Sequence, residues 1–441
     1  MAWPAVALNS LQTINSLLDS FFIQHLGVAS LTAMGASVNI LFLFVPLTMA
    51  LGTAATALVS RAFGAKDQNG YIVASQKCLG MAMIGGLVFA AISIPGSLAA
   101  SYFLLPGSAE TSRNLMLQYL GVFALGLPAI FIIQVLAGSL RAVGDTRSPM
   151  IISGLQILIH IALNAILINK SNHLGPFVWQ GLGIGLSGAS AAMSISAWIS
   201  AIVYLGYMRR TPLGSCFKCS WPGKDWSLRI IKIAVPAAMM SIVRVTSLMA
   251  FTAILARVPH GETAVGAFRP AFAVESLAFM PGFGLSVTAA ALVGQSLGMK
   301  RPDRAEKIAW TAAHHAAIAG LIASIIVLAF AQIIAKTLVP DQPAVAGHVA
   351  EYLKYVCLTE ILFGYAMVLT GALQGAGDTV SPLWLALGCM WGLRVPMAFL
   401  FANVLSWGTV GCWIAMSATQ GIQGILAIFT FRAGRWKTKQ V

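Results

Sequence analysis

The chain has 441 residues, 58% hydrophobic and only 9% charged, with a mean hydropathy of +0.83. Soluble domains carry about 25% charged residues, so this balance excludes a water-soluble fold and makes the bilayer the solvent. The net charge of +14 lies in loops, with no basic patch interleaved with aromatics, and nucleic acid is excluded as a partner.

Apolar runs near the ~20 residues that cross a bilayer fall at 3–25, 34–60, 73–105, 115–140, 149–169, 181–207, 230–256, 266–297, 308–337, 350–374, 381–404 and 409–431. They are continuous rather than alternating, which excludes a β-barrel. The expectation is an all-α integral membrane protein of twelve transmembrane helices in two pseudo-symmetric six-helix lobes. The lobes are expected at 1–208 and 229–441. Residues 209–228, rich in Pro, Gly and basic side chains, form a cytoplasmic linker between them.

The first span carries Gln12, Asn15 and Asp19 on one helical face. It has no basic leader, so no cleavable signal peptide is expected. The segment ahead of it is very short, or the start lies further upstream. A charge inside a span is expensive and defaults to function. Asp19 is therefore the first choice for a cation-coupling site on a polar stripe facing the bundle interior. The bland reading is a residue near the outer helix end reaching the interface. A carboxylate whose surroundings differ between inward and outward states binds and releases a proton or sodium ion, and that difference can drive exchange.

The second span closes on Phe63-Gly64-Ala65-Lys66-Asp67, where Gly64 is expected to be a left-handed cap. After the fourth span comes Ser139-Leu140-Arg141-Ala142-Val143-Gly144-Asp145-Thr146-Arg147-Ser148-Pro149. About half a chain later it recurs as Ala372-Leu373-Gln374-Gly375-Ala376-Gly377-Asp378-Thr379-Val380-Ser381-Pro382. Thr32-Ala33-Met34-Gly35-Ala36 likewise returns as Thr263-Ala264-Val265-Gly266-Ala267. Two homologous halves in a hydrophobic chain mark a transporter. No phosphate-binding lysine follows these glycines, so they read as turns rather than nucleotide loops.

In the fifth span His160 and Asn164 stand one turn apart. His160 either titrates near neutral pH or packs as a hydrogen-bonded histidine. Cys216-Phe217-Lys218-Cys219 in the linker has CxxC spacing without a second pair. A structural zinc takes four ligands, so reduced thiols are expected, and neither a metal nor a cofactor.

The second half places Arg244, Arg269, Glu275, Glu360 and Arg394 inside spans. Glu275 and Glu360 are secondary candidates for coupling. Arg244 is expected to pair with one of them, because an unpaired buried charge destabilises. Gln12, Asn39 and Met280 are the substrate-cavity candidates. Pro46, Pro128, Pro236 and Pro281 sit mid-span, as hinge-like kinks do.

With the amino end placed inside, the inner loops and tail hold Arg61, Lys66, Arg141, Arg147, the basic residues of 209–229, those of 300–307 and those of 432–439. The outer loops hold Arg113, Lys170, Arg257 and Lys336. This positive-inside bias puts both termini in the cytoplasm.

Taken together, these segments resemble the multidrug and toxic compound extrusion (MATE) family, most closely its bacterial DinF-like branch. They are Leu18 to Gly27, Ala57 to Ala65, Leu140 to Pro149, Val274 to Gly284, Leu292 to Gly298 and Gly371 to Pro382. The resemblance covers essentially the whole chain. It implies a cation-coupled antiporter of the cytoplasmic membrane, working as a monomer and moving small organic, often cationic, compounds outward by alternating access. The acid of the family's first helix aligns with Asp19. The family often carries Asn-x-x-x-Asp where His160 and Asn164 stand, and one branch has an acid where Arg244 stands. With no second acid in the first half, a proton fits better than a multi-carboxylate sodium cage.

The rival is a flippase of the same superfamily exporting anionic lipid-linked precursors, with the span arginines binding a diphosphate. An enzyme is not expected: His314-His315 are adjacent, share no helix face and have no acidic metal ligands beside them.

Overall fold

A computed structural model describes residues 15, 18–19, 21–23, 26–106, 108–174, 177–214 and 220–439, with backbone alone at 39, 42, 43, 171–174 and 177–179. The chain is helical almost throughout. The helices are α1 (Val28–Gly64), α2 (Gln68–Leu104), α3 (Glu110–Ala142), α4 (Arg147–Leu167), α5 (Leu186–Met208) and α6 (Gly223–Leu255). Then follow α7 (Gly261–Gly298), α8 (Pro302–Leu338), α9 (Pro343–Val356), α10 (Glu360–Gly375), α11 (Val380–Val404) and α12 (Gly408–Arg432).

Among the described residues ten helices are long and apolar enough to cross a membrane singly, and α9 with α10 make an eleventh, bent by 64°. The first expected span lies largely outside the described residues; of it Asn15, Leu18, Asp19 and Phe21–Ile23 are helical. The described residues divide into two compact units, one up to residue 234 and the other from residue 235. The boundary falls inside α6.

Two features depart from straight helical spans. The expected tenth span, 350–374, breaks at Cys357-Leu358-Thr359. Ser324 Oγ donates to the Cys357 carbonyl at 2.8 Å, and Ser417 Oγ to the Tyr355 carbonyl at 2.7 Å. Hydroxyls from α8 and α12 thus take up carbonyls that the broken helix no longer satisfies, which hydrocarbon demands. In α11 the backbone widens into π-turns at Leu387–Arg394 and Leu400–Val404, flanking Pro396, which has no N–H to donate. Between α4 and α5 a short antiparallel hairpin pairs β1 (Ser171–Leu174) with β2 (Phe177–Gln180); Phe, Val and Trp suit a strand.

The repeat seen in the sequence reappears as matched geometry within each unit. At Gly138 on α3 a Cβ would collide with the Gly52 carbonyl of α1, and Thr56 Oγ1 donates to the Gly138 carbonyl at 3.1 Å. Its repeat counterpart, Gly371 on α10, has no room for a Cβ against Ser286 of α7, whose Oγ donates to the Met367 carbonyl at 2.9 Å. Without a hydrophobic force between helices in lipid, such close backbone approach drives association.

The turns match too. Gly144 and Gly377 take φ of 96° and 85°, and the next amides reach back to Leu140 O at 3.0 Å and Leu373 O at 2.9 Å. Asp145 then caps α4 by accepting from Ser148 N at 3.0 Å, and Asp378 caps α11 by accepting from Ser381 N at 3.3 Å. After α1 and α7 the left-handed residue is a lysine, Lys66 at φ 58° and Lys300 at φ 56°. The expected left-handed Gly64 is instead the last helical residue of α1.

Replacing Gly138 or Gly371 by Val should cost about 1–3 kcal/mol through overpacking. Gly96→Ala, where nothing lies within 4 Å, should leave stability unchanged. Thermal unfolding in detergent, read by size-exclusion fluorescence, checks both.

Candidate functional site

Asp19 follows Asn15 by four residues, so the two side chains share a helical face, and Asn15 Nδ2 donates to Asp19 Oδ2 at 3.2 Å. On α4 the same spacing stacks His160 and Asn164. Both turn to the same carboxyl oxygen. Asn164 Nδ2 donates to Asp19 Oδ1 at 2.6 Å, and His160 Nε2 lies 2.9 Å from it. Asn164 Nδ2 is also 3.1 Å from His160 Nε2. The four residues expected from sequence to form the coupling site are therefore in one cluster, within the unit 7–234.

Local packing holds this cluster in place. Phe22 and Ile23, just after Asp19, lie in a buried apolar group with Ala33, Tyr119 and Ile168. Asn169 Nδ2 donates to the Phe22 carbonyl at 3.2 Å, tying the end of α4 to the Asp19 segment. Asn164 is fully buried and the His160 side chain is 9% exposed, while that of Asp19 is 25% exposed. The acid thus has a route to water that His160 and Asn164 lack. Tyr119 of α3 is within electrostatic reach of Asp19.

The hydrogen-bond inventory limits what this site can hold. An ionised carboxylate only accepts, so His160 must then carry its hydrogen on Nε2. A protonated Asp19 can instead donate Oδ1–H to a bare Nε2. The 2.9 Å contact serves both states. The hydrogen-bond partners of Asp19 among the described residues are three nitrogens, while Asn15 Oδ1 and Asn164 Oδ1 lie buried without a partner among those residues. No group of three or more His, Cys, Asp or Glu side chains is arranged for a metal ion among the described residues.

The secondary candidates fall in the unit 235–441. Glu275 of α7 accepts from Tyr352 Oη of α9 and from Gln420 Nε2 of α12, the latter at 2.8 Å. Glu360 opens α10 and is 1% exposed. Sequence reasoning missed Tyr352 and Gln420; polar side chains inside apolar runs were the available signal.

The expected pairing of Arg244 with these acids is not present. Arg244 is exposed and makes no ion pair among the described residues. The reason is packing: Met240 and Val243 of α6 cluster with Ala386 and Met390 of α11, and Ser247 Oγ donates to the Met390 carbonyl at 2.9 Å. Arg269 is exposed as well. Arg394 is the arginine near the acids, 3% exposed, donating from Nε to Thr419 Oγ1 at 3.1 Å and within electrostatic reach of Glu275. Met280 is buried on α7. Gln12 and the side chain of Asn39 lie outside the described residues.

A membrane-embedded helical chain of two repeated halves, with carboxylates inside its spans, is a transporter and not an enzyme. The profile of the MatE family matches residues 4–166 and 236–400, and the chain belongs to that family. It is 26% identical over 444 residues to a probable multidrug resistance protein NorM of Thermotoga maritima, covering 100% of this chain and 93% of the relative. It is also 26% identical over 419 residues to an FAD transporter of Shewanella oneidensis, covering 94% and 89%. A solved structure of MATE in complex with MaL6 superposes with a TM-score of 0.90 at 20% identity, covering 100% of this chain and 96% of the other.

Asn164→Leu removes the shortest donor to Asp19. It should cost about 1–3 kcal/mol, the usual effect of leaving a buried polar group unsatisfied. Asn164→Ser, which keeps a donor, should recover part of that loss. Melting temperatures of the purified variants measure it.

Proposed function

We propose that this protein is a proton-coupled antiporter that exports organic, often cationic, compounds across the cytoplasmic membrane by alternating access. The observation that carries the reading is the meeting of His160 Nε2 and Asn164 Nδ2 on one oxygen of Asp19, at 2.9 and 2.6 Å. A proton can sit on either side of the 2.9 Å contact between Asp19 and His160, which supports a proton as the coupling ion. Asp19 has more access to water than His160 and Asn164, so it is the group through which the proton enters and leaves. Proton binding and substrate binding in the first half then compete, and each drives the other out. The protein acts as a monomer with both termini in the cytoplasm, and the halves 1–208 and 229–441 are its working lobes. The multidrug description of the Thermotoga maritima relative supports a broad organic substrate range.

A second reading is export of an anionic substrate, such as a lipid-linked precursor. It draws on Arg244 and Arg269, exposed cations within spans that no carboxylate pairs with among the described residues. The FAD transporter among the relatives is in keeping with it.

Efflux of a cationic dye from proteoliposomes separates these readings. Wild type should transport under an imposed proton gradient and not under a sodium gradient, and Asp19→Asn should fall to the level of empty vesicles. Transport surviving in Asp19→Asn rejects the assigned site. Transport driven by sodium rejects the ion. Failure of every cationic dye, with uptake of an anionic one, replaces the first reading by the second.

A further inference from the structure

Where α2 ends and α3 begins there is a cavity of about 180 Å³, lined by Ser101, Tyr102, Glu110, Arg113, Asn114 and Leu117. Nothing in the chemistry assigned to Asp19 uses it. α2 has 37 residues, about 55 Å at 1.5 Å per residue, which exceeds the ~30 Å hydrocarbon core. Its ends therefore reach the headgroup layer, where tyrosine concentrates, and the cavity sits at one of them.

The cavity carries both signs of charge. The Arg113 guanidinium carbon lies 4.7 Å from the centre of the Tyr102 ring, and Nη2 donates to the Pro106 carbonyl at 3.0 Å. These two contacts orient the guanidinium, whose planar fork of donors suits a phosphate. Glu110 stands three residues earlier on the same helix. It is exposed and pairs with no cation among the described residues. Opposite charges at this spacing are neighbours on a helix surface, yet here they line one cavity without closing on each other. That arrangement suits a ligand carrying both charges, its anion toward Arg113 and its cation toward Glu110.

The lining also selects the kind of cation. A quaternary ammonium has no N–H to donate and is recognised by aromatic faces, and the aromatic ring at the cavity, Tyr102, is engaged by Arg113. A primary ammonium donates to a carboxylate and to an amide oxygen, which Glu110 and Asn114 supply. A headgroup with net negative charge meets Glu110 unfavourably. Apolar surface adjoins the cavity: Phe103 is 89% exposed, and Leu87, Ile94 and Leu98 are exposed at helical spacing on the stripe that ends in Tyr102.

We propose that this cavity binds a phospholipid with a primary ammonium headgroup, of the phosphatidylethanolamine type. The phosphate sits on Arg113, the ammonium on Glu110, and the acyl chains lie along the exposed stripe of α2. A soluble phosphoethanolamine ester shares the headgroup chemistry, and the apolar stripe favours the lipid. This site depends on neither the coupling ion nor the exported substrate.

Native mass spectrometry of the full-length protein tests it, with phosphatidylethanolamine, phosphatidylcholine and phosphatidylglycerol of identical chains in competition. Wild type should retain phosphatidylethanolamine about threefold above the other two, the size that one partly exposed ion pair supplies. Glu110→Gln should lower phosphatidylethanolamine to the level of phosphatidylcholine. Arg113→Gln should lower both together, and Arg113→Lys should restore part of the loss. Because Glu110 is exposed, Glu110→Gln carries the test alone if the Arg113 variants do not fold. Equal retention of the three lipids by wild type overturns the proposal, as does a preference that survives Glu110→Gln. Displacement of the lipid by soluble glycerophosphoethanolamine at the same concentration also overturns it and assigns the cavity to the free ester. None of these readouts involves transport, so this site and the Asp19 site fail separately.

Discussion

Hydrocarbon supplies no water, so every backbone group and every charge in this protein has to be satisfied from within. That constraint accounts for the straight helices and for each departure from them. Where the tenth span breaks, hydroxyls of Ser324 and Ser417 take up the stranded carbonyls. Where Asp19 enters the apolar interior, three side-chain nitrogens from its own helix and α4 surround it. Where Glu275 is buried, Tyr352 and Gln420 close on both oxygens. The candidate functional groups sit in the same places, where a polar group kept inside a membrane is costly to retain.

Close helix contact recurs in both halves of the chain. Gly138 and Gly371 occupy equivalent places in the repeat, and each allows its helix to approach a partner so tightly that side-chain oxygens reach neighbouring carbonyls. The paired turns at Gly144-Asp145 and Gly377-Asp378 start the following helices in the same way. One supersecondary design, used twice, positions a carboxyl cluster in each unit. The clusters themselves differ. The first pairs its acid with an imidazole and keeps a path to water, whereas the second buries two acids around one arginine.

The Asp19 cluster was legible because its polar residues interrupt apolar runs at helical spacing: Asn15 with Asp19, and His160 with Asn164. The break in the tenth span was not. Residues 357–359 contain no proline or glycine, and the hydroxyls that stabilise the break come from positions far away in the chain. Tyr352 and Gln420 escaped notice for a similar reason, since a lone tyrosine or glutamine in an apolar run has no meaning until its neighbour is known. Arg244 lies within electrostatic reach of Arg394 but pairs with neither acid among the described residues, because charge alone does not say which side chains come into contact.

By itself the sequence determined the solvent, the number and order of spans, the internal repeat and the family, because these follow from local hydropathy and from segments compared in one dimension. Tertiary structure alone decided which polar groups meet. It brought His160 and Asn164 onto one oxygen of Asp19, placed Arg394 rather than Arg244 beside Glu275, and left Glu360 Oε1 without a hydrogen-bond partner among the described residues. Hydrogen bonds act over about 3 Å, and only the packing of distant helices sets which groups come within that range.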